Sequence, residues 1–350
     1  MANYAEFSFT SLWARVGGVA DRAVVASGNA PGGVVVELPE AERAALAAQI
    51  APFLEELEQL RLTTLATADH RARLMVPLAG GVAFLALLVT GQGLAAGLII
   101  GLIAALVGWF VAMGNRAGTY QAAVKNRFAP VIARYLSGFD HIVEPQTDLS
   151  RLRDWNLFPD LQSARTLDQI TGQRDSRSLS MSEMSIAYAP NLKRNMGDHT
   201  LTCSVIEVAS LAQHNMLLVL SPNDAPPRLL EAQRKKSDLP TLKTGDLAFD
   251  TAYTLRSSDP DTTALLTRGL RSAILSLAGV MPASRPYLVF MPGYLAVLFP
   301  TNLADLAFHV PPYWVALDPE ALLAQFASDL AVKNSLINAV LALPEPSPTP

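Results

Sequence analysis

A long stretch without any ionisable side chain constrains this sequence more than any other feature. Between Arg73 and Arg116 there is no Asp, Glu, Lys, Arg or His, and most residues are apolar. The stretch "TGQG", residues 90–93, divides it into two apolar runs. A helix needs about 20 apolar residues to cross the roughly 30 Å hydrocarbon core of a bilayer. We therefore predict two transmembrane helices, 74–90 and 94–113, joined as a hairpin. The alternative, a helical hairpin inside a soluble core, usually shows a polar face.

Basic residues flank the outer ends of both runs, whereas the connecting turn has none. Arg61, Arg71 and Arg73 precede the first run, and Arg116 and Lys125 follow the second. Cytoplasmic flanks of transmembrane helices carry the excess of Lys and Arg. We therefore expect a two-pass protein with both termini in the cytoplasm.

The sequence next to each run continues with helical periodicity. Residues 37–70 predict a juxtamembrane helix, because Leu46, Ile50, Phe53, Leu57 and Leu60 recur at steps of four and three. Residues 114–138 predict a second one, and we expect the two to pair as an antiparallel stalk. Residues 1–36 are interpreted as an irregular N-terminal segment, and 344–350 as a disordered tail.

Residues 139–343 predict a cytoplasmic α+β domain. Short β-branched and apolar stretches separated by Asn, Gly, Asp and Pro, such as "HTLTCSVIEVASL" and "NMLLVLSP", are typical of strands. "FDTAYTLR" alternates as a half-buried strand does, and "RPYLVFMPGYLAVLFPT" predicts two strands meeting at Pro292 and Gly293. Two main helices are expected after Asp259-Pro260 and Asp318-Pro319, because Asp caps a helix start and Pro suits its first turn.

The predicted fold class is therefore a membrane-anchored α+β protein. It has a transmembrane helical hairpin, a helical juxtamembrane stalk, and a cytoplasmic domain with a mixed or antiparallel sheet and two main helices. The formal charge of −4 gives no reason to expect a nucleic acid partner. The single Cys203 suits a reducing compartment and is interpreted as a small apolar strand residue.

No pattern in the sequence predicts a catalytic, cofactor or metal site. Phosphate-binding loops, serine nucleophile elbows and dinucleotide fingerprints are absent. Asp259 and Asp261 are interpreted as turn and capping residues, since the further ligands of a calcium loop do not follow. None of the histidines has a spacing that suits zinc on one helix, so each is interpreted as a surface or strand residue: His70, His141, His199, His214 and His309.

The clearest candidate contact residues are glycines in the second run. Gly93, Gly97 and Gly101 repeat at steps of four, and Ala105 continues the row. Small residues let helix backbones approach closely in lipid. The row is predicted to pack on the first run, which contains Gly80 and Gly81, or alternatively on a second copy of the chain.

The stretches "AFDTAYTLRSSDPDTTALLT" and "LFPDLQSARTLDQITGQRDSRSLSMSEMSI" resemble a bacterial membrane protein family catalogued as domain of unknown function 3137. Phe158, Asp168, Ile170, Gly172 and Glu183 stand where the pattern of that family would put them. The resemblance covers roughly residues 70–340 and implies a two-pass inner-membrane protein with a cytoplasmic α+β domain, but no activity. Members of that family are often encoded beside LemA-type membrane proteins, which implies another membrane protein as a possible partner.

Two functions remain open from the sequence. The first is an inner-membrane-anchored protein whose cytoplasmic domain binds or scaffolds a protein partner, without a catalytic signature. The alternative is a membrane-anchored enzyme whose site is assembled from distant strands. A pocket with converging titratable side chains would favour the enzyme, and an apolar surface patch would favour binding. Homo-oligomerisation fits either function.

Overall fold

A computed structural model describes most of the chain after residue 39. The described residues are 40–91, 93–158, 161–188, 199–210, 217–226, 229–230, 233, 237–279, 285–301, 310, 313–316 and 318–344. They belong to two compact units. The stalk unit holds the described parts of 40–131 and 310–325, and the sheet unit those of 132–301 and 326–344. The predicted irregular segment 1–36, His214, His309 and residues 345–350 of the predicted tail lie outside the described residues.

Two long helices build the stalk unit. Helix α1 runs from Glu40–Val89 and helix α2 from Leu94–Ser137. Each joins a predicted juxtamembrane helix and a predicted apolar run without a break, although Pro52 and Pro77 lie inside α1 and Pro130 lies inside α2. The intervening turn contains Gly91 and Gly93, whose positive φ angles of 74° and 84° suit glycine.

The polar parts of α1 and α2 pair antiparallel. Glu56 Oε1 lies 3.0 Å from Arg127 Nη2, and the Arg127 guanidinium lies 5.9 Å from the centre of the Phe53 ring. The apolar seam between them is buried and includes Leu46, Ile50, Leu57, Tyr120, Val124 and Phe128. Of the residues that the periodicity of 37–70 selected, Leu46, Ile50 and Leu57 are therefore buried, whereas Phe53 and Leu60 are half-buried.

A segment distant in sequence also packs on the stalk. We call Val310 with residues 313–316 the strap. Arg61 Nη1 donates to the Tyr313 carbonyl oxygen at 3.2 Å, and Gln121 Nε2 donates to that of Val310 at 3.3 Å. The Tyr313 ring, fully buried, meets the Tyr120 ring edge-on with centroids 6.3 Å apart. The predicted domain 139–343 therefore includes residues that belong to the stalk unit.

One antiparallel sheet organises the sheet unit. Among the described residues its strands follow the order β1-β2-β3-β4-β9-β8-β5-β7-β6. Every described pair of neighbours is antiparallel. The strands are β1 Asp140–His141, β2 Leu161–Arg174, β3 Arg177–Tyr188, β4 His199–Ala209, β5 Leu218–Pro222, β6 Thr241–Leu242, β7 Tyr253–Ser257, β8 Tyr287–Met291 and β9 Tyr294–Pro300.

Several predicted strands are confirmed. "HTLTCSVIEVASL" forms β4, "NMLLVLSP" contains β5, and β8 and β9 meet in a two-residue turn at Gly293, whose φ is +80°. Strand β2 was not predicted as a strand, because its residues are largely polar. It continues into β3 through Asp175 and Ser176, a two-residue turn with both φ angles positive.

Two predictions in this part of the chain are wrong. "FDTAYTLR" is not one strand, because Asp246 caps helix α4, Leu247–Ala252, and β7 begins only at Tyr253. The helix expected after Asp259-Pro260 is two helices, α5 Thr262–Leu265 and α6 Arg268–Leu277. Thr267 interrupts it, since its side chain accepts a hydrogen bond from the Leu270 amide and so starts a new helix.

The helix expected after Asp318-Pro319 is confirmed as α7, Pro319–Leu341. Asp318 Oδ1 accepts hydrogen bonds from the amides of Glu320 and Ala321, which is the predicted cap. A short helix, α3 Leu149–Asp154, follows β1. It contributes Leu152 to a buried cluster on one face of the sheet that also holds Trp155, Ile186, Cys203 and Leu298. The opposite face of the first four strands also buries apolar side chains, such as Ile170, Met181 and Ile206, and the polar side chains described below lie among them.

Candidate functional site

The outer surface of the α1–α2 hairpin is covered with large apolar side chains. Leu78, Leu98 and Leu102 are 64%, 62% and 74% exposed. In the most apolar 18-residue stretch of each helix, 6% of α1 and 11% of α2 is buried. Both helices are long and apolar enough to cross a membrane. A core helix of a soluble protein would bury such a surface, so this exposure requires another apolar medium or partner.

The inner surface of the hairpin is lined with small residues. A Cβ atom placed on Gly101 would lie 3.1 Å from the Gly80 carbonyl oxygen, and one on Gly97 would lie 3.2 Å from the Phe84 ring. Further down, a Cβ on Gly108 would lie 3.2 Å from Ala79 Cβ. Gly97 and Gly101 therefore face α1 of the same chain.

Gly93 does not belong to this contact row. It precedes the first residue of α2, has a φ of +84°, and a Cβ there would meet nothing within 4 Å. Its role is conformational, because a left-handed backbone at the turn favours glycine. The predicted row of Gly93, Gly97 and Gly101 is corrected at its first member, and Gly108 was missed as a close contact.

A row of buried polar side chains crosses the sheet unit, and we call it the charged row. It consists of His141 on β1, Asp168 on β2, Glu183 on β3, Ser204 on β4 and Lys333 on α7. His141 Nε2 lies 2.5 Å from Asp168 Oδ1. Lys333 Nζ lies 3.5 Å from Asp168 Oδ2 and 3.9 Å from Glu183 Oε1. The Ser204 hydroxyl donates to both carboxylate oxygens of Glu183 at 2.8 Å.

Strand register brings the charged row together. Asp168 is directly opposite Glu183 on β3, and Glu183 is opposite Ser204 on β4. His141 is opposite Ile170, two residues along β2 from Asp168, so both side chains leave the same face. Lys333 reaches that face from α7. Neighbouring α7 residues add polar contacts, since Asn338 Oδ1 accepts from Arg174 Nη1 at 2.7 Å.

The charged row is closed to solvent. The side chains of His141 and Asp168 are 1% exposed, that of Lys333 is 2% and that of Glu183 is 3%. Moving an ion from water into a buried site costs several kcal/mol. The attraction between a cation and two carboxylates offsets this cost only while all three groups stay in place. The row therefore holds α7 and strands β1 to β4 in one specific arrangement.

Gly172 allows a close approach beside the charged row. A Cβ atom there would clash with Phe139 Cδ1. The same Phe139 ring stacks under the Arg174 guanidinium, 4.8 Å from ring centre to Cζ. Three residues that the family resemblance singled out, Asp168, Gly172 and Glu183, thus lie in or next to the row.

The charged row could not be found as a cluster from the sequence, because its members lie between 15 (Asp168 to Glu183) and 192 (His141 to Lys333) residues apart, and strand pairing and the packing of α7 bring them together. His141 lies in a strand, as predicted, but its side chain is buried rather than on the surface. Lys333 had no signal except that it is the only basic residue of a mostly apolar helix, "LLAQFASDLAVKNSLINAVL". A Lys on a buried face is rare without a partner, and this would have been the clue.

A second polar cluster lies on the other face of the sheet. Arg151 Nε is 2.7 Å from Glu207 Oε1, and the Arg151 guanidinium lies 4.3 Å from the Tyr294 ring centre. The Tyr294 hydroxyl accepts a hydrogen bond from Trp155 Nε1 at 3.2 Å. Burial raises the pKa of Glu207, although Arg151 opposes the shift. Only Arg151 of this set is substantially exposed, so the cluster offers little surface to a ligand.

Within the part of the chain that the structure describes, the remaining sites give no catalytic arrangement. A shallow cleft of about 440 Å³ near the ends of β4 and β8 is mostly apolar, with Arg177 as its charged lining residue. Cys203 is fully buried, and burial raises the pKa of its thiol. Asp259 accepts a hydrogen bond from the Asp261 amide in a turn. Among the described residues, no three His, Cys, Asp or Glu side chains group closely enough to hold a metal ion.

Comparison with known proteins adds little to this geometry. No family model matches the chain, and no curated protein matches it. Among solved structures, the chain is similar to the crystal structure of the mycobacterial trehalose monomycolate transport factor A, TtfA, with 13% identity and a TM-score of 0.28. The similarity covers 68% of this chain and 98% of that one. At that TM-score it supports no inference about function.

Proposed function

We propose that this protein is anchored in a membrane by the α1–α2 hairpin and presents the sheet unit as a binding or scaffold domain on one side. The exposed apolar surface of the hairpin carries this proposal. Removing such side chains from water stabilises by about 25 cal/mol per Å² of apolar surface. Lipid is the medium that accepts this surface around both helices at once.

The inner membrane of a bacterium, with both termini in the cytoplasm, is the location that we propose. The basic residues at the stalk end of the hairpin and the uncharged turn support this orientation. Membership of the family with domain of unknown function 3137 stays part of the same proposal. A membrane protein is the class of partner that an anchored domain meets most often.

Alkaline extraction of isolated membranes tests the anchor. The full chain should stay in the membrane pellet, because an inserted hairpin does not depend on surface charge. A chain in which residues 74–113 are replaced by a short Gly and Ser linker should be released. Release of the full chain would show that it is held only peripherally and would contradict the proposal.

An enzyme is the second candidate, and the charged row is the observation in its favour. His, Asp, Glu, Lys and Ser side chains do converge from distant strands, as a catalytic site requires. Their burial opposes it, since no substrate atom reaches them while α7 is in place. Binding is therefore the function that the geometry supports better.

The two functions differ in what conservative variants of the row should do. Asp168→Asn and Glu183→Gln keep the shape of the side chains but remove their charge. If the row is structural, loss of cellular function should follow the loss of thermal stability. If cellular function is lost while the midpoint of unfolding is unchanged, the row acts chemically and the enzyme is the better description.

A further inference from the structure

The contacts within the hairpin define which residues of α1 and α2 lie at the same depth. Gly108 lies beside Met75 and Ala79, and Gly101 lies beside Gly80 and Phe84. As residue number rises on one helix it falls on the other, so the helices are antiparallel. Continuing this register places Arg73 and Arg71 level with the last apolar turn of α2, residues 110–113.

Basic residues are therefore concentrated at one level of the hairpin. Arg116, the first basic residue of α2, follows that turn within one further turn. From residue 110 to Arg116 the helix rises about 9 Å. The headgroup layer on one side of a bilayer is of similar thickness, roughly 5–8 Å. The backbone positions of all three arginines thus lie within about 9 Å of one another along the hairpin axis, at the end of the apolar runs that borders the headgroup layer on the stalk side.

Arg71 and Arg73 flank α1 on two sides. Ala72 is buried against the rest of the stalk unit, and successive residues of a helix differ by about 100°. Arg71 and Arg73 therefore point to opposite sides of that buried position. The Arg73 side chain is 69% exposed, and its Nη2 lies 2.6 Å from Asp69 Oδ2.

Aromatic rings lie at the same level. The rings of Trp109 and Phe110 meet edge-on with centroids 5.1 Å apart. Trp and Arg together at one end of an apolar helix are typical of a membrane interface. At the opposite end the turn "TGQG" carries no charge. Any preference for charged lipid must therefore arise on the stalk side alone.

We propose that this belt, Arg71, Arg73 and Arg116 with Trp109 and Phe110, selects anionic phospholipids in the leaflet on the stalk side. Arginine donates several hydrogen bonds to a phosphate group and stays charged at any physiological pH. One acidic residue, Asp69, offsets three arginines, so the belt keeps a positive charge. The inference rests on the proposed membrane anchor.

Trp109 provides the measurement. The full chain is reconstituted into vesicles that mix phosphatidylcholine with phosphatidylglycerol, and bromine atoms are placed on the acyl chains of one lipid at a time. Brominated chains quench indole fluorescence only within the hydrocarbon region, and of the four tryptophans only Trp109 lies in an apolar run. A Trp109→Phe variant should lose the quenching and so identifies its source.

We expect brominated phosphatidylglycerol to quench Trp109 more than brominated phosphatidylcholine at equal mole fraction. The association constants derived from the two lipids should differ about fivefold or more. The ratio should fall towards one in the variant Arg71→Gln/Arg73→Gln/Arg116→Gln. Arg127→Gln/Arg134→Gln is the matched control, because these arginines start about 16 Å further along α2 and should leave the ratio unchanged.

With the unmodified chain at low salt, either of two results would overturn the inference, and the two differ in meaning. Equal quenching by both lipids in the unmodified chain means that the hairpin is inserted but the belt selects nothing. No quenching by either lipid means that the hairpin is not in the bilayer, so the proposed anchor fails as well. Should the triple variant not reconstitute, salt of about 0.5 M must remove the preference in the unmodified chain, because it screens charge; a preference that survives also overturns the inference.

Discussion

Lys333 lies between two buried carboxylates, and its removal should therefore destabilise the sheet unit strongly. Lys333→Met keeps the apolar stem but leaves Asp168 and Glu183 without the cation. Breaking a buried ion pair by removing one partner costs about 3–5 kcal/mol. We expect a large drop in the midpoint of thermal unfolding, which circular dichroism of the detergent-solubilised protein measures.

Lys243→Met is the control for this variant, because it is the same substitution at a lysine whose side chain is exposed. Its midpoint of unfolding should stay close to that of the unmodified chain. Equal effects of the two variants would show that the charged row does not hold the fold together.

Glu207 should make stability depend on pH. Burial raises its pKa above the ordinary value of 4.5, so the folded state favours the protonated carboxyl. Its contribution to stability is fully present below pH 4.5 and is lost as pH rises through the raised pKa. Glu207→Gln stays neutral, so its stability relative to the unmodified chain should increase over that range. A difference in unfolding midpoints that is constant with pH would contradict the shift.

At the residue scale, the sequence identified positions but not their partners. Asp168, Gly172 and Glu183 attracted attention through a family resemblance, and all three lie at the charged row. Lys333 and His141 did not, because their proximity depends on the pairing of β1 with β2 and on the docking of α7. Such contacts between distant segments leave no local periodicity in a single sequence.

At the scale of elements, the α1–α2 hairpin offers a matched pair of glycines. A Cβ on Gly97 would press on the Phe84 ring, whereas one on Gly81 would meet nothing within 4 Å. Gly97→Leu should loosen the hairpin by an amount on the order of 1 kcal/mol, and Gly81→Leu should not. Disulfide crosslinking between cysteines placed on α1 and α2 measures the difference. Equal crosslinking in both variants would mean that the glycine contact adds nothing.

The strap predicts how the chain can be divided. A fragment of residues 139–343 keeps the strap but loses Tyr120 and Arg61, which Tyr313 contacts. We expect this fragment to aggregate. A chain that keeps both stalk helices but replaces residues 74–113 by a linker should be soluble and unfold cooperatively. Gel filtration compares the two, and a monodisperse 139–343 fragment would show that the strap does not need the stalk.

Helix-capping residues and turn glycines predicted the ends of several elements correctly. Asp318 starts α7, and Gly293 allows the β8–β9 turn, both as expected. The prediction failed where two local signals competed. Alternation in "FDTAYTLR" predicted a strand, but Asp246 caps helix α4, which contains the first half of this stretch. Strand β2 was missed because most of its side chains are polar. Its backbone pairing with β3 places it in the sheet despite this composition.

At the scale of the whole molecule, the proposed function requires that the α1–α2 hairpin crosses a membrane. The chain itself simplifies a test of this claim. Cys203 is its only cysteine, fully buried and with a thiol pKa raised by burial, so it should not react with a maleimide in the folded protein. New cysteines can therefore be introduced one at a time without removing it.

Labelling of single cysteines with a membrane-impermeant maleimide is the most direct measurement. Thr90→Cys lies at the turn between α1 and α2, and Leu247→Cys replaces a side chain that is 83% exposed in the sheet unit. The test uses cells whose outer membrane has been removed and whose inner membrane is intact. We expect labelling at residue 90, and none at residue 247 until the inner membrane is permeabilised. Labelling of both, or of neither, before permeabilisation would contradict a hairpin that crosses the membrane and keeps the sheet unit in the cytoplasm.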